Sequence, residues 1–370
     1  MIEIQDVALN LIIVIVGIAG LTAFGIIFGL FFKGIDRKIS AHMQGRIGPP
    51  IRQPFRDIVK LLTKENIIPE NSITWVFNLI PVIGLVGAIS ILMYVPIGGF
   101  QPLLNGSITI NGQQINMFYG DLILILYLLM IPSIAMVIGG FASGSPYATV
   151  GAQREMTTMI AYEFPLAIII MSFAYRLSRP DILSEINNQN VFAFSTITAV
   201  PIWNTVSILG LIGFGILLFI LIIVTPAELS KIPFDSPEAE TELAGGLLAE
   251  YSGRNLAMFY LTDGVKTVVM ASIVVALFFP YNISNLVGLE SYPAYAIDII
   301  FYLIKVFLVI LFSVTLIRVA TARLKIDQIV YTYWIPLTLL ALIGLIFIMW
   351  DLNAITTYEW PKVVELLGLG

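Results

Sequence analysis

Eight apolar stretches of roughly 20 residues each constrain this chain more than any other feature of its sequence. They lie at about 8–32, 75–96, 120–141, 156–176, 203–225, 256–280, 297–318 and 332–350. A helix of this length spans a bilayer, and the bilayer interior admits only helices or closed barrels. Only 12% of the residues are charged, against about 25% in soluble domains. We therefore predict an all-α polytopic membrane protein, a single membrane domain over residues 1–370 with eight transmembrane helices.

Basic residues divide unequally between the two sides of this topology. Segment 33–74 carries eight Lys and Arg, the other loops on its side carry six more, and the opposite side carries three. Because basic residues are retained on the cytoplasmic side, segments 33–74 and 226–255 are predicted to be cytoplasmic loops, with both termini outside. The first span is predicted to be a permanent anchor, since its flank carries Glu3 and Asp6 without a basic residue.

The composition disfavours two functions, the binding of a metal or cofactor and the binding of nucleic acid. The chain has no cysteine and a single histidine, His42. Since Cys and His are the usual ligands of iron–sulfur clusters, structural zinc and haem, we expect no metal and no cofactor in this chain. The net charge of -5 argues against a nucleic-acid partner, because phosphate binding requires a clustered excess of basic residues.

The basic segment contains a turn and an amphipathic pattern. Gly48-Pro49-Pro50 is predicted to leave the helical conformation, because proline disfavours that conformation in the residue before it. After Pro54 the spacing predicts a short amphipathic interfacial helix. Its basic residues are Arg56, Lys60 and Lys64. Contact with anionic lipid explains them as well as a functional role does. That interpretation does not cover the basic residues around the turn, which are Arg37, Lys38 and Arg46.

The acidic segment, 226–255, holds six acids and only two bases. Ser236-Pro237 is typical of a helix start, which would place Glu238 and Glu242 on one face and Glu240 on the other. Two interpretations remain open. The segment is either an ordinary solvated loop, or a set of crowded carboxylates near an apolar boundary, where some pKa values are raised.

Ionisable residues also occur within or at the edge of the predicted spans. An ionisable group in hydrocarbon faces a bundle interior or a water-filled path by default. Glu155 stands at the predicted start of span four, and Glu163 has no base within one helical turn, which makes it the strongest candidate for proton or ion handling. Asp263 and Lys266 are three residues apart and are expected to pair on one helix face, in a structural or a functional role.

Four long motifs carry a resemblance to a known family. They are DRKISAHMQGRIGPP at 36–50, QPFRDIVKLLTKE at 53–65, SGSPYATVGAQREMTTMIAYEFPL at 143–166 and KIPFDSPEAETELAGGLLAEYSG at 231–253. With these motifs the chain closely resembles the membrane-anchor component shared by respiratory complex I, where it is the H subunit, and by energy-converting membrane-bound [NiFe] hydrogenases. Details of the first, third and fourth motifs look more like the hydrogenase type, which includes formate hydrogenlyase and the ferredoxin-dependent sulfane sulfur reductase.

The resemblance implies a non-catalytic subunit of an oxidoreductase complex in a prokaryotic cell membrane. Its implied partners are a [NiFe] hydrogenase-like large subunit, an iron–sulfur small subunit and antiporter-like membrane subunits, with ferredoxin as electron donor. Iron–sulfur clusters and a [NiFe] centre would reside in those partners. The alternatives are the quinone-site subunit of complex I and a stand-alone secondary transporter. The transporter would be expected to show internal repeats, and none is evident in the sequence.

The family's functional residues map onto two sets of positions. The resemblance implies a docking or cavity loop at Arg37, Lys38 and Arg46. It implies a coupling path through the acidic loop and into the membrane, at Asp235, Glu238, Glu240, Glu242, Glu155 and Glu163. Asp263 and Lys266 join this path as intramembrane ionisable residues. A chain of carboxylates of this kind can respond to redox change above it by shifting protonation.

Overall fold

The computed structural model describes residues 2–97, 107–110, 113–116, 121–179, 191–284 and 292–351, with the side chains of 2–14, 107–116, 195, 240–241 and 292–295 excepted. Within these ranges, eight helices are long and apolar enough to cross a membrane. They are Ile15–Met43, Thr74–Leu92, Leu122–Ala142, Pro146–Leu177, Ile208–Glu228, Gly253–Phe278, Ala296–Ala320 and Ile326–Met349. The prediction of an all-α polytopic membrane protein with eight spans is confirmed.

The first six spans lie in continuous α-helices, and the last two contain π-helical turns. The continuous helices are α1 (Ile2–Met43), α3 (Thr74–Leu92), α4 (Leu122–Ala142), α5 (Pro146–Leu177), α7 (Ile208–Glu228) and α9 (Gly253–Phe278). The seventh span joins α10 (Tyr292–Ile310) to α11 (Leu316–Ala320) through the π-helical turn Leu311–Thr315. The eighth joins α12 (Ile326–Thr332) to α13 (Thr338–Met349) through the π-helical turn Tyr333–Leu337.

Short elements occupy the connections. They are α2 (Gln53–Thr63), α6 (Phe194–Ala199), α8 (Glu240–Leu243) and the 3₁₀ turns Ile202–Asn204, Ser236–Glu238 and Gly246–Leu248. One β-hairpin, which the sequence pattern did not predict, pairs β1 (Ser107–Ile110) antiparallel with β2 (Gln113–Asn116), Ser107 opposite Asn116. The sequence between the strands is Asn111-Gly112, a combination favoured in hairpin turns.

Two spans are longer than predicted. Helix α1 does not end near residue 32 but continues to Met43, because no proline interrupts it until the turn. Its end is marked by Gly45 at φ 72°, in the left-handed conformation that glycine adopts after a helix. Helix α5 begins at Pro146 rather than near residue 156, since proline is favoured in a first helical turn. Glu155 therefore lies inside α5 and not at its start.

The acidic loop folds differently from its prediction. The turn that begins at Ser236 is a single 3₁₀ turn, and Ala239 then leaves the helical conformation with ψ 102°. Glu238 and Glu242 therefore do not share a helix face, and that prediction is wrong. The reason is tight packing, because a Cβ added at Gly246, which has φ 52°, would lie 1.9 Å from the carbonyl oxygen of Pro237. A helix that continued unbroken from Pro237 to Gly246 would hold these residues about 13 Å apart along its axis, so it cannot make this contact.

Helix α9 is the central helix of the bundle. In an 18-residue apolar stretch of this helix, 94% of the residues are buried. Helices α1, α3 and α10 pack around it. It approaches α1 most closely where two glycines meet. A Cβ added at Gly29 would lie 2.5 Å from the carbonyl oxygen of Gly264. Small residues allow such backbone contact between membrane helices, and this contact fixes the relative depth of the charged side chains near it on both helices.

The two long polar segments lie at the same end of the bundle, here called the loop side. The amide of Ile67 donates a hydrogen bond of 2.9 Å to Oγ of Ser252, which joins segment 33–74 to segment 226–255. The predicted amphipathic helix is present as α2. Its residue Ile58 is buried against Leu30 and Leu261, so α2 packs along the loop-side ends of α1 and α9.

Candidate functional site

A charged cavity of 380 Å³ opens at the loop side, between α1, α9, α11 and the loop that follows α7. Nine ionisable side chains other than tyrosine line it. They are Lys33, Asp36, Arg37, Lys231, Asp235, Glu238, Asp263, Arg318 and Arg323. This density of charge lies at the ends of apolar spans, where an ionisable group is costly unless it is paired or hydrated.

Asp263 is the focal carboxylate of the charged cavity. Its Oδ2 lies 2.6 Å from Nζ of Lys33 and 2.7 Å from Nζ of Lys231. The close contact of Gly29 with Gly264 lies one turn before Lys33 and one residue after Asp263, so it sets these two side chains at the same depth. One carboxylate shared by two ammonium groups leaves a local excess of positive charge, which favours a further anion nearby.

Glu238 supplies a second carboxylate to the charged cavity. Burial raises the pKa of Glu238 above its ordinary value, although the neighbouring ammonium of Lys231 acts in the opposite direction. Burial also lowers the pKa of Lys231, but Asp263 and Glu238 outweigh that effect and leave it raised. Lys231 is therefore a fixed cation, whereas Glu238 keeps its proton to a higher pH than an exposed glutamate does.

Two ion pairs hold the wall of the charged cavity. Asp36 on α1 accepts hydrogen bonds from Nη1 of Arg318 at 3.1 Å and from Oγ1 of Thr315 at 2.7 Å. Asp235 binds Arg323 in bidentate geometry, with distances of 2.8 Å from Nε and 2.5 Å from Nη2. Bidentate pairing is the stronger form of this interaction. The two pairs attach α1 and the acidic loop to the seventh span and the short loop after it.

Glu242 lies outside the charged cavity. Its Oε2 is 2.6 Å from Nη1 of Arg154, which also donates to the carbonyl oxygen of Ser236 at 3.3 Å. The hydrogen bond from Arg154 lowers the pKa of Glu242. Glu242 thus remains ionised and fastens the acidic loop to α5. The side chain of Glu240 lies outside the described residues, and its predicted role stays a prediction.

Glu155 continues the ionisable groups inward from the charged cavity. It lies on α5, is 1% exposed, and accepts hydrogen bonds from Oγ of Ser230 at 3.3 and 3.4 Å. Its carboxyl group interacts electrostatically with Glu238 on the cavity side and with Glu228 farther inside. Glu155 therefore links the loop side to the bundle interior.

Lys266 and Glu228 form a buried ion pair beside Glu155. Nζ of Lys266 lies 2.8 Å from Oε1 of Glu228, and each side chain is 3% exposed. Lys266 also donates to Oγ of Ser133 at 2.6 Å. The predicted pairing of Lys266 with Asp263 is therefore wrong. Residues three apart on a helix are separated by roughly 60°, and on α9 each of the two faces a different neighbour that offers its own partner.

Glu163 lies about two turns beyond Glu155 on α5. Its side chain is partly exposed, its Oε1 is buried, and no side chain or backbone group in the described ranges donates a hydrogen bond to that oxygen. It interacts electrostatically with Glu228. From the charged cavity inward, an ionisable series can thus be defined as Glu238, Glu155, Glu228, Lys266 and Glu163.

The basic residues predicted for docking separate in the structure. Arg37 lines the charged cavity and lies 3.4 Å from Asp57 on α2. Lys38 is half-buried and Arg46 is exposed, and both lie outside the cavity lining. Their role in docking a partner stays a prediction. Within the described part, no group of three or more His, Asp or Glu side chains is arranged to hold a metal ion.

Several residues of the site were not predicted from the sequence. From the sequence, Glu228 and Lys231 are only two of the loop charges, although an acid two residues after Pro226, at the end of an apolar run, indicates a charge at the end of a span. The sequence places Lys33 and Asp36 in a loop, because the apolar residues of span one stop near residue 32, before helix α1 ends. For Arg318 and Arg323, the sequence indicates only on which side of the membrane they lie.

The fold and the charged cavity define a polytopic membrane protein whose interior is organised around buried ionisable groups. Residues 15–349 match the NADH dehydrogenase family, and the chain belongs to that family. Membrane subunits of complex I-related respiratory complexes are its relatives, as the following comparisons show.

Three relatives cover most of the chain. The H subunit of NADH-quinone oxidoreductase from Anaplasma phagocytophilum is 31% identical over 338 residues, 86% of this chain and 91% of that protein. Hydrogenase-4 component C of Escherichia coli is 35% identical over 254 residues, 68% of this chain and 71% of that protein. The solved structure of the membrane-bound sulfane sulfur reductase, an archaeal respiratory membrane complex, contains a chain that superposes with a TM-score of 0.73 at 26% identity, covering 90% of this chain and 99% of that one. The chain is thus a membrane subunit of a complex I-related complex.

Proposed function

We propose that this chain anchors a soluble electron-transfer arm to the membrane and couples its redox chemistry to the translocation of protons or sodium ions. The observation that supports this most directly is the continuity of the charged cavity with the ionisable series. The cavity opens at the loop side, and Glu155 interacts both with Glu238 at its wall and with Glu228 in the interior. A structural anchor alone has no need of charged groups in that arrangement.

The physical basis of coupling is electrostatic. Two unit charges about 8 Å apart interact by roughly 2 kcal/mol at an effective dielectric constant of 20, enough to move a protonation equilibrium more than tenfold. A charge that appears above the cavity would first act on Glu238, whose pKa is already raised by burial. A change in the protonation of Glu238 then acts on Glu155. Through the Glu228 pair, the effect reaches Glu163. No electron passes through this chain in such a mechanism.

Within the family, we favour the hydrogenase or sulfane sulfur reductase type. Hydrogenase-4 component C shares 35% of its aligned residues with this chain, and the sulfane sulfur reductase chain is covered almost completely. The proposed partners are a [NiFe] hydrogenase-like large subunit, an iron–sulfur small subunit and antiporter-like membrane subunits, with ferredoxin as donor. The iron–sulfur clusters and any [NiFe] centre would be held by those partners.

The second candidate is the quinone-site subunit of complex I. The identity of 31% to an NADH-quinone oxidoreductase component supports it, as does the presence of a cavity between the spans. A stand-alone transporter finds no support among the relatives, which are named as subunits or components of larger enzymes.

The location follows from the same proposal. In a prokaryotic cell membrane, the loop side with its 14 basic residues would face the cytoplasm, where the soluble arm would dock. Both termini would then lie outside.

The test combines purification of the intact complex with a pumping measurement. Proteins that accompany a tagged chain in mild detergent are identified, and a large subunit with a full set of metal-ligating cysteines indicates a hydrogenase, whereas an incomplete set indicates sulfur reduction. In membrane vesicles, Glu155→Gln is expected to lower the number of ions moved per electron while electron transfer continues. Glu70→Gln, at an exposed loop residue, is the matched control. Normal pumping in Glu155→Gln contradicts the coupling role.

A further inference from the structure

A second pocket, here called the interfacial pocket, lies between α2 and the loop-side ends of α1 and α9. Its volume is 300 Å³. One wall is apolar and is formed by Leu30, Ile58, Leu61 and Leu256. Because α2 packs across the ends of two membrane spans, this wall lies at the depth where hydrocarbon gives way to the polar surface of a bilayer.

The polar part of the pocket lining is mainly basic. Four cations line it, Lys33, Arg37, Lys60 and Lys64, against a single acid, Asp57. Asp57 lies 3.4 Å from Arg37, and Lys33 is paired with Asp263. The described ion pairs include none to Lys60 or Lys64, both of which are exposed. The pocket thus has an unneutralised positive edge formed by Lys60 in the last turn of α2 and by Lys64, the residue directly after that helix.

The outer face of α2 is compatible with a lipid environment. Val59 is 62% exposed and Leu62 is 49% exposed, beside the lysines of the pocket. Lysine side chains at a bilayer surface extend their charged ends toward the headgroups while their methylene groups lie along apolar surface. The helix therefore presents apolar contacts and cations together, in the manner of helices that lie in the membrane interface.

We propose that the interfacial pocket binds one anionic phospholipid, with its phosphate at Lys60 and Lys64 and an acyl chain along the apolar wall. A zwitterionic lipid would leave the net positive charge of the pocket unbalanced. Free phosphate would make no use of the apolar wall. The proposal is independent of ion coupling, and its test does not depend on enzymatic activity.

The experiment uses the intact complex in nanodiscs of phosphatidylcholine that contain a small fraction of phosphatidylglycerol with a photoreactive acyl chain. Cross-linked peptides are mapped by mass spectrometry, and unlabelled phosphatidylglycerol is titrated as competitor. We expect labelling of Gln53–Thr63 and of the first turns of α9. Since each basic residue near an anionic surface changes affinity about fivefold, the double variant Lys60→Gln/Lys64→Gln should weaken competition roughly 30-fold.

The matched control is Arg52→Gln/Arg56→Gln, which removes two exposed cations at the same helix without touching the pocket lining. It should weaken competition by less than about threefold. An equal loss in both double variants would show diffuse surface attraction and overturn the proposal. Equally effective competition by phosphatidylcholine, by inorganic phosphate or by a neutral quinone would overturn it as well.

Discussion

Lys266 and Glu228 form an ion pair with 2.8 Å between Nζ and Oε1, and both side chains are almost completely buried. They come from different spans, so the pair also fixes the position of α7 relative to α9. Because a buried charge without its partner is costly, neither residue can be replaced alone at low cost. Glu155 and Glu163 each interact electrostatically with Glu228, which places this pair at the middle of the ionisable series.

The first prediction follows from that pair. Lys266→Met is expected to destabilise the chain by about 3–5 kcal/mol, since it leaves the Glu228 carboxylate buried and unpaired. Adding Glu228→Met removes the unpaired charge, so the double variant should recover most of the loss. The measurement is thermal unfolding of the complex in detergent, together with its yield. Additive losses in the double variant would show that the two side chains do not act as a pair.

The second prediction concerns the glycine contact between α1 and α9. Gly29→Val should cost about 1–3 kcal/mol through overpacking, because its Cβ would lie within 2.5 Å of the carbonyl oxygen of Gly264. The displacement of α1 from α9 that relieves this overlap should also separate Lys33 from Asp263. Gly20→Val on the same helix is the control, since a Cβ there meets nothing within 4 Å. Similar stability of the two variants in thermal unfolding would refute the role of this contact.

The third prediction addresses Glu163, which we infer exchanges protons at the inner end of the ionisable series. Glu163→Gln keeps the size of the side chain but removes its titration, so ions pumped per electron in vesicles should fall while the complex still assembles. Glu163→Asp retains a carboxyl group and is expected to keep part of the pumping. Normal pumping with normal assembly in the Gln variant would exclude Glu163 from the path.

The fourth prediction is a pH dependence at Glu238. Its folded pKa is raised, so the native state loses stability as pH rises above the ordinary glutamate value of about 4.3. Glutamine mimics the protonated form and escapes this loss. Glu238→Gln should therefore unfold at a higher temperature than the parent chain near neutral pH, and the difference should shrink as pH falls toward that value.

The control for this pH dependence is Glu242, whose pKa is lowered by its bond to Arg154. Its contribution to stability is present above the ordinary pKa and is lost as pH falls, so Glu242→Gln should destabilise near neutral pH. Variants at the two positions should thus shift the unfolding temperature in opposite directions. Shifts of the same sign would contradict the assignment of these two environments.

The fifth prediction concerns orientation. Ser40 and Ser236 are only 5% and 3% exposed, so exposed loop-side positions are better sites for cysteine in this cysteine-free chain. Gln44→Cys and Ala249→Cys should react with thiol reagents only from the cytoplasm. Ser178→Cys, which is exposed at the opposite end of α5, should react only from outside. The reverse pattern would invert the proposed topology.

The eight spans and the amphipathic helix could be predicted from sequence because they depend on local properties. A run of about 20 apolar residues must satisfy its own backbone hydrogen bonds in a bilayer, whichever neighbours surround it. Helix ends were less predictable. The end of α1 depends on Gly45 in the left-handed conformation, and the sequence placed that end where apolar residues stop rather than where the backbone turns.

What the sequence determined by itself is that this chain crosses a membrane eight times, carries no thiolate for metal binding, and places one acid, Glu163, within the fourth span. Only the tertiary structure decided which charges meet. Asp263 pairs with Lys33 and Lys231, and Lys266 pairs with Glu228, because packing of α1 and α7 against α9 brings together groups that are distant in the chain. Spacing along one helix specifies a direction for each side chain, whereas its partner depends on which neighbouring element lies in that direction.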